Sequence, residues 1–139
     1  MDASFEEKSA WIQLSSLLLA LLGYGFVAGR LMVLGVDALP AYAAVFGVAV
    51  VVIVAVNVVG HALAALTGRV DYGDERDSVI SWRAESRSGW LLGLGVVASL
   101  VGLVAGVAPL WIAHALLLSL FASEILRLTL QLVDYRRGF

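Results

Sequence analysis

Residues 41–67 read AYAAVFGVAVVVIVAVNVVGHALAALT, and this stretch contains no aspartate, glutamate, lysine or arginine. A helix needs about 20 apolar residues to cross a hydrocarbon core about 30 Å thick, so the stretch predicts a transmembrane helix. Three further runs meet the same requirement, at residues 9–29, 89–107 and 109–130. The sequence therefore predicts four membrane-spanning helices.

The composition of the whole chain agrees with this assignment. Of its 139 residues, 61% are hydrophobic and 14% are charged, and the mean hydropathy is +0.95. Water-soluble domains carry about 25% charged residues. The polar segment at residues 68–88 is too short to fold into a separate soluble core. We therefore predict one all-α domain over residues 1–139, an integral membrane four-helix bundle.

Two short motifs occur twice and indicate a duplicated helical hairpin. Lys8-Ser9-Ala10-Trp11 returns as Arg87-Ser88-Gly89-Trp90, and Val70-Asp71-Tyr72 returns as Val133-Asp134-Tyr135. If both halves insert in the same direction, a pseudo-twofold axis along the membrane normal relates them. The alternative is chance similarity in a chain so rich in alanine, leucine, valine and glycine.

The basic residues predict which way the chain crosses the membrane. An even number of spans places the N-terminus, the segment at residues 68–88 and the C-terminus on one side. All lysine and arginine residues except Arg30 fall at or near that side. Cytoplasmic segments carry the excess of basic residues in membrane proteins. We therefore predict a multi-pass protein of the cell (inner) membrane with both termini in the cytoplasm.

Five polar residues within or beside the predicted spans form the candidate functional site. A charge in hydrocarbon costs several kcal/mol unless it is paired or hydrated, so these side chains are expected to face the bundle interior or a wet cavity. All five lie in the predicted cytoplasmic half of the membrane. They are Gln13 on the first span, Asn57 and His61 on the second, and Glu124 and Arg127 on the fourth.

Two interpretations of this polar cluster stay open. His61 lies opposite Glu124 when the halves are aligned on their Val-Asp-Tyr motifs, and a carboxylate beside a histidine makes a proton or cation site. Alternatively, Glu124 pairs with Arg127, three residues later on its own helix, while Asn57 and His61 hydrogen-bond across helices as structural contacts. A hydrated cavity at His61 and Glu124 would favour the first, and a dry packed contact the second.

Small residues recur on the third span at Gly95, Ser99, Gly102 and Gly106. These spacings keep them on one helix face, where small side chains let another helix approach closely. The face packs either against another helix of the same chain or against a second copy in a homodimer.

No pattern in the sequence predicts a cofactor, a metal or a catalytic site. The chain has no cysteine, and His114 lies about ten residues from the level of Glu124, roughly 15 Å along a helix and too far for shared coordination. The glycines at residues 93–98 fit a dinucleotide fingerprint in letters, but they lie inside a membrane span with no strand before them. Acidic residues match the basic ones at the membrane surface, so no nucleic-acid partner is expected.

The segment after Gly73 predicts a cytoplasmic helix that continues into the third span, because no proline and no glycine interrupts it before Gly89. Its acidic first turn suits the positive end of the helix dipole. The helix is either a docking surface for a soluble cytoplasmic partner or a solvated stem that connects the halves. The residues of this candidate interaction motif are Asp74, Glu75, Arg76, Asp77 and Arg83.

The run Asp74-Glu75-Arg76-Asp77, with Ile80 and Arg83-Ala84 before a membrane helix, resembles the uncharacterised family of small four-span prokaryotic membrane proteins that carry a cytoplasmic "DERD" motif. The four-span layout extends the likeness over the chain. Such proteins are often encoded beside small helix-turn-helix regulators, so the resemblance implies a partner of that kind. It implies no activity and no catalytic residue.

The sequence therefore predicts a non-enzymatic interaction or regulatory module that lies in the lipid bilayer and acts through its cytoplasmic helix. The alternative function is a small proton-linked transporter or channel that uses His61 and Glu124.

Overall fold

The computed structural model describes residues 5–67 and 75–137, which form four long α-helices. Each helix is long and apolar enough to cross a membrane. The prediction of an all-α protein with four candidate membrane spans is therefore confirmed. The helices are α1 (Phe5–Val33), α2 (Leu39–Thr67), α3 (Glu75–Val104) and α4 (Pro109–Arg137).

The helices are longer than the predicted spans, chiefly at one end of the bundle. We call this the charged end, because it holds the N-termini of α1 and α3 and the C-terminus of α4, where most charged residues lie. α3 begins at Glu75 and continues without a break through the predicted third span, so the continuous helix expected after Gly73 is present over the described residues. At 1.5 Å per residue the helices are about 44 Å long, against a hydrocarbon core of about 30 Å. The extra length of α3 and α4 relative to the predicted spans lies at the charged end, and we call residues 75–88 of α3 its projecting part.

The two hairpins turn in the same way at the opposite end of the bundle. α1 is followed by Gly35 with a φ of 73°, and α3 is followed by Gly106 with a φ of 77°. Glycine adopts this left-handed conformation without a Cβ clash. In each turn the next residue, Val36 or Val107, donates its backbone N–H to the carbonyl five residues earlier, which caps the helix. Gly106 therefore belongs to the turn and not to the packing face of α3.

Packing between the helices places α1 and α4 in the centre. α1 contacts α2 and α4, and α4 contacts α1 and α3. One apolar cluster fills the α1–α4 interface near the charged end, and a second lies nearer the hairpin turns. Their buried members are Ala10, Leu14, Leu128 and Leu132 in the first cluster, and Ala20, Tyr24, Ala28, Tyr42, Ala49 and Phe121 in the second.

The contacts between the hairpins bear on the predicted duplication. A twofold axis relating the halves makes the α1–α4 and α2–α3 interfaces equivalent. Among the described helices, α1 and α4 share an extensive interface, whereas α2 and α3 share none of similar extent. The identical turns at Gly35 and Gly106 favour a repeat, but the twofold relation stays a prediction.

The small residues of α3 lie against α4. A Cβ built on Gly95 overlaps the side chain of Ser119, and one built on Gly102 comes within 3.7 Å of Val107. Ser99, between them on the same face, is buried. Close approach of the two backbones at Gly95 explains why this position carries no side chain.

We predict that Gly95→Ala destabilises the α3–α4 hairpin by about 1–3 kcal/mol, because the added methyl group overpacks the contact with Ser119. The thermal unfolding midpoint of the purified protein in detergent measures this change. Gly47→Ala on α2 is the matched control, since a Cβ there meets no atom within 4 Å. Adding Ser119→Gly to Gly95→Ala is expected to restore most of the loss. An unchanged midpoint for Gly95→Ala alone contradicts the close packing.

Candidate functional site

The predicted polar cluster lies on the three helices α1, α2 and α4 towards the charged end. The ring of His61 stands 6.4 Å from the ring of Phe5, the first residue of α1. Nearby, the guanidinium of Arg136 stacks over the Trp11 ring at 5.6 Å. Both contacts place the cluster near the charged end of the bundle.

Hydrogen bonds fix the tautomer of His61. Its Nδ1 lies 2.7 Å from the backbone carbonyl oxygen of Asn57. A carbonyl oxygen only accepts, so Nδ1 carries the proton and Nε2 of the neutral ring is an acceptor. The hydroxyl of Ser9, 2.8 Å from Nε2, therefore donates to it. This bond joins α2 to α1.

Gln13 carries the connection from α1 to α4. Its Nε2 donates to the Ser9 hydroxyl oxygen at 3.0 Å, and its Oε1 accepts from Arg127 Nη2 at 3.5 Å. Arg127 in turn forms an ion pair with Glu124, with Nε 2.9 Å and Nη2 2.8 Å from Oε2. A directional chain of donors thus runs from the Arg127 guanidinium through Gln13 and Ser9 to His61.

Asn57 is held by a second group of bonds. Its Nδ2 donates to the hydroxyl oxygen of Ser16 on α1 and to the carbonyl oxygen of Ile53, both at 2.8 Å. The Ser16 hydroxyl is fully buried and donates to the Gln13 carbonyl oxygen at 2.8 Å. The amide protons of Asn57 are therefore used within the protein, as hydrocarbon surroundings require.

The structure joins all five predicted site residues in one network, which we call the polar network. It connects His61 to Glu124 through Ser9, Gln13 and Arg127, and among the described residues neither of the two has the other as a direct partner. Ser9 and Ser16 are members that the sequence analysis did not identify. Their spacing of four before and three after Gln13 places all three on one face of α1.

The two charged side chains of the polar network, Glu124 and Arg127, neutralise each other. Glu124 is neutralised by Arg127 on its own helix, and the side chains are 40% and 25% exposed, respectively. Among residues 5–67 and 75–137, no three histidine, aspartate or glutamate side chains gather as a metal site requires. The arrangement can hold three helices together, and it leaves no charge that needs an added ion.

His114 belongs to a separate site near the hairpin turns. Its Nδ1 donates to the Leu110 carbonyl oxygen at 2.8 Å, so its Nε2 accepts from the Tyr24 hydroxyl at 3.2 Å. The Tyr42 ring stands edge-on to His114 at 5.2 Å. These three aromatic residues line a cleft of about 520 Å³ whose other walls are apolar.

The candidate interaction motif lies on the projecting part of α3. Asp74 lies outside the described residues. Glu75 and Arg76 are exposed, while Asp77 and Arg83 are partly buried. The opposite side of this segment packs on α4, as shown by Ile80, Ala84 and Ser88, which are nearly fully buried.

Polar contacts between α3 and α4 reinforce that packing. Gln131 donates to the Ser81 hydroxyl oxygen at 3.1 Å, and the Ser123 hydroxyl donates to the Ser88 carbonyl oxygen at 3.1 Å. The projecting segment is therefore held to α4 along its length.

Two apolar side chains of this segment remain exposed, and the sequence analysis did not single them out. Trp82 is 72% exposed and Val79 is 49% exposed. Both precede residue 89, at which the predicted third span begins. Trp82 is the most exposed tryptophan among the described residues, and tryptophan is enriched at the energetic centre of protein interfaces.

Comparisons of the chain with protein-family models, with curated proteins and with solved structures find no match. The resemblance to the four-span family with the "DERD" motif therefore stays a prediction.

We predict that His61 and Glu124 are coupled only weakly. A double-mutant cycle of His61→Phe with Glu124→Gln, measured by thermal stability in detergent, is expected to give a smaller coupling energy than a directly bonded pair, because Ser9, Gln13 and Arg127 lie between the two side chains. The cycle of Ser9→Ala with His61→Phe is the positive control and is expected to give about 0.6–1.7 kcal/mol, the range for hydrogen bonds between membrane helices. The reverse order of the two coupling energies would show a direct histidine–glutamate pair.

Proposed function

We propose that this protein is a non-enzymatic membrane module that contacts another polypeptide through the projecting, cytoplasmic part of α3. The observation that carries the proposal is the exposure of Trp82 and Val79 on a helix that is firmly held on its other side. Tryptophan and arginine are the residues most often found at the energetic centre of protein interfaces.

The projecting segment has the rigidity that an interaction surface needs. Its buried side chains, Ile80 and Ala84, pack against α4, and the hydrogen bond from Gln131 to Ser81 ties the two helices together beyond the membrane. A surface that is ordered before binding loses little conformational entropy when a partner arrives.

The surface combines apolar and charged groups in a way that suits recognition. Trp82 and Val79 form an apolar stripe, and Arg76, Arg83 and Arg87 follow one edge of it at helical spacing. Basic residues near the membrane are cytoplasmic in most membrane proteins, so we place this surface and both termini in the cytoplasm. The surrounding membrane is the cell (inner) membrane in this proposal.

The polar network supports this function over transport. Its members satisfy one another, and Glu124 is already paired with Arg127. A proton carried by His61 would have to enter at Nε2, where the Ser9 hydroxyl donates in the described arrangement. The network therefore acts in this proposal as the contact that joins α1, α2 and α4.

We expect a photo-reactive amino acid placed at Trp82 in living cells to form a protein adduct on illumination, because the side chain lies in an interface. The same substitution at Trp111 is the matched control, since that tryptophan is 58% exposed at the opposite end of the bundle. Electrophoresis of the tagged protein reports the adduct. Position 82 forming no more adduct than position 111 would contradict an interaction through α3.

A proton-linked transporter is the second candidate, favoured by the unbroken hydrogen-bond chain from His61 to Arg127 and Glu124. In liposomes with an imposed potential, the module proposal predicts proton influx no faster than in empty liposomes, measured with an internal pH dye. Influx through the wild-type protein that Glu124→Gln with His61→Ala abolishes would establish transport instead.

A further inference from the structure

We infer that the polypeptide covering the outward face of α3 is a second copy of this chain, packed parallel to the first about a twofold axis along the membrane normal. The inference rests on the proposed function, since it names the partner of the same surface. The outward face comprises Val79, Trp82, Ser86, Gly89 and Gly93, which lie along one side of the helix.

Two glycines supply the point of closest approach. Gly89 and Gly93 are four residues apart, and a Cβ built on either one meets no atom within 4 Å. Gly95, two residues further on, faces about 200° away and is already packed against Ser119. The Gly89–Gly93 surface is therefore distinct from the internal packing face, and its spacing is the one that lets two parallel membrane helices approach closely.

Side-chain size along the outward face suits a pair of helices that cross at these glycines. Helices in such crossings diverge away from the contact point. Towards the charged end the face continues with Ser86, which is small and exposed, and then with Trp82, the largest side chain, 72% exposed. Trp82 thus stands where the gap between the two helices is wider and a large ring is needed to fill it.

The charges beside the outward face identify the partner as a second copy. Glu85 and Arg87 are both exposed, and their side chains have no partner among the described residues. They lie about 100° to either side of the apolar stripe, on opposite flanks. About a twofold axis parallel to the helices, the Arg87 flank of one copy faces the Glu85 flank of the other.

The heights of the two charges also match. Glu85 and Arg87 differ by two residues, or roughly 3 Å along the helix, so each carboxylate lies nearly level with the guanidinium of the second copy. Two copies of this surface can therefore form two equivalent ion pairs with each other. An unrelated partner has no reason to fit both flanks at this register.

The chain contains one comparable face that lacks this complementarity. Gly25 and Gly29 of α1 are also four residues apart, and a Cβ built on either of them meets no atom within 4 Å. Arg30 is the only charged residue near them, and no carboxylate lies within a turn on α1. A twofold pair through α1 would therefore leave each Arg30 without an opposite charge on the second copy, so no ion pair supports it.

Cysteine crosslinking tests the pairing directly, because the chain contains no cysteine of its own. Ser86→Cys in native membranes is expected to form a disulfide-linked dimer of this chain on mild oxidation, since Ser86 is exposed one turn from Gly89 and twofold symmetry places equal positions opposite each other. Leu63→Cys on α2, where the side chain is 57% exposed, is the control expected to stay monomeric. Equal crosslinking at the two positions would indicate random collision and overturn the inference.

Charge reversal gives a second and independent readout in the full-length protein. Glu85→Arg and Arg87→Glu, made singly, are each expected to weaken dimerisation about fivefold, as measured by energy transfer between two labelled populations in liposomes. Combining the two reversals restores both ion pairs and is expected to return the dimer to its wild-type affinity. A double variant as weak as either single one contradicts the proposed register.

Glycine substitution locates the interface on α3 or α1. Gly93→Leu is expected to abolish energy transfer, and Gly25→Leu is expected to leave it unchanged. The opposite result would assign the dimer interface to α1 and overturn the inference. Photo-adducts at position 82 that contain only a different protein would also overturn the inference of a second copy, but they would support the proposed function. If no protein adduct forms at position 82, both the inference of a second copy and the proposed function are contradicted.

Discussion

Hydrocarbon offers no hydrogen-bond partner, and this constraint governs every level of the structure. Each backbone N–H and C=O within the membrane must be satisfied by the chain itself, so the apolar runs form uninterrupted helices. The turns at Gly35 and Gly106 cap the ends of α1 and α3 with further backbone hydrogen bonds. The polar network between α1, α2 and α4 follows the same rule, whereas the buried hydroxyl of Ser99 on α3 has no hydrogen-bond partner among the described residues.

Because lipid is as apolar as leucine, burial of apolar area does little to choose one helix neighbour over another in a membrane. Polar bonds and close backbone contacts decide the arrangement instead. The bond between Ser9 and His61 joins α1 to α2, the contact of Gln13 with Arg127 joins α1 to α4, and the approach at Gly95 joins α4 to α3. The outward face of α3 is left with glycines, a tryptophan and two charges that none of these contacts uses.

Much of this was predictable from the sequence, because length and apolarity alone define membrane helices. The four spans, the continuity of α3 from Glu75 and the polarity of the five network residues follow from local patterns. The hydrogen-bond partners of the network residues were harder to predict. Sequence spacing placed His61 opposite Glu124, whereas in the structure Ser9 and Gln13 lie between them. A serine alone carries no sequence signal strong enough to identify it as a member of the network. The exposure of Trp82 could not be predicted without knowing which face of α3 is covered by α4.

The central claim is that the outward face of α3 is covered by protein from Val79 to Gly93. Nitroxide spin labels placed singly along this cysteine-free helix, in liposomes, report collision with oxygen from lipid and with a nickel chelate from water. Low accessibility to both reagents at positions 79, 82 and 86, which lie away from the close contact at the two glycines, is the result that the account predicts. High nickel accessibility at these three positions would contradict it.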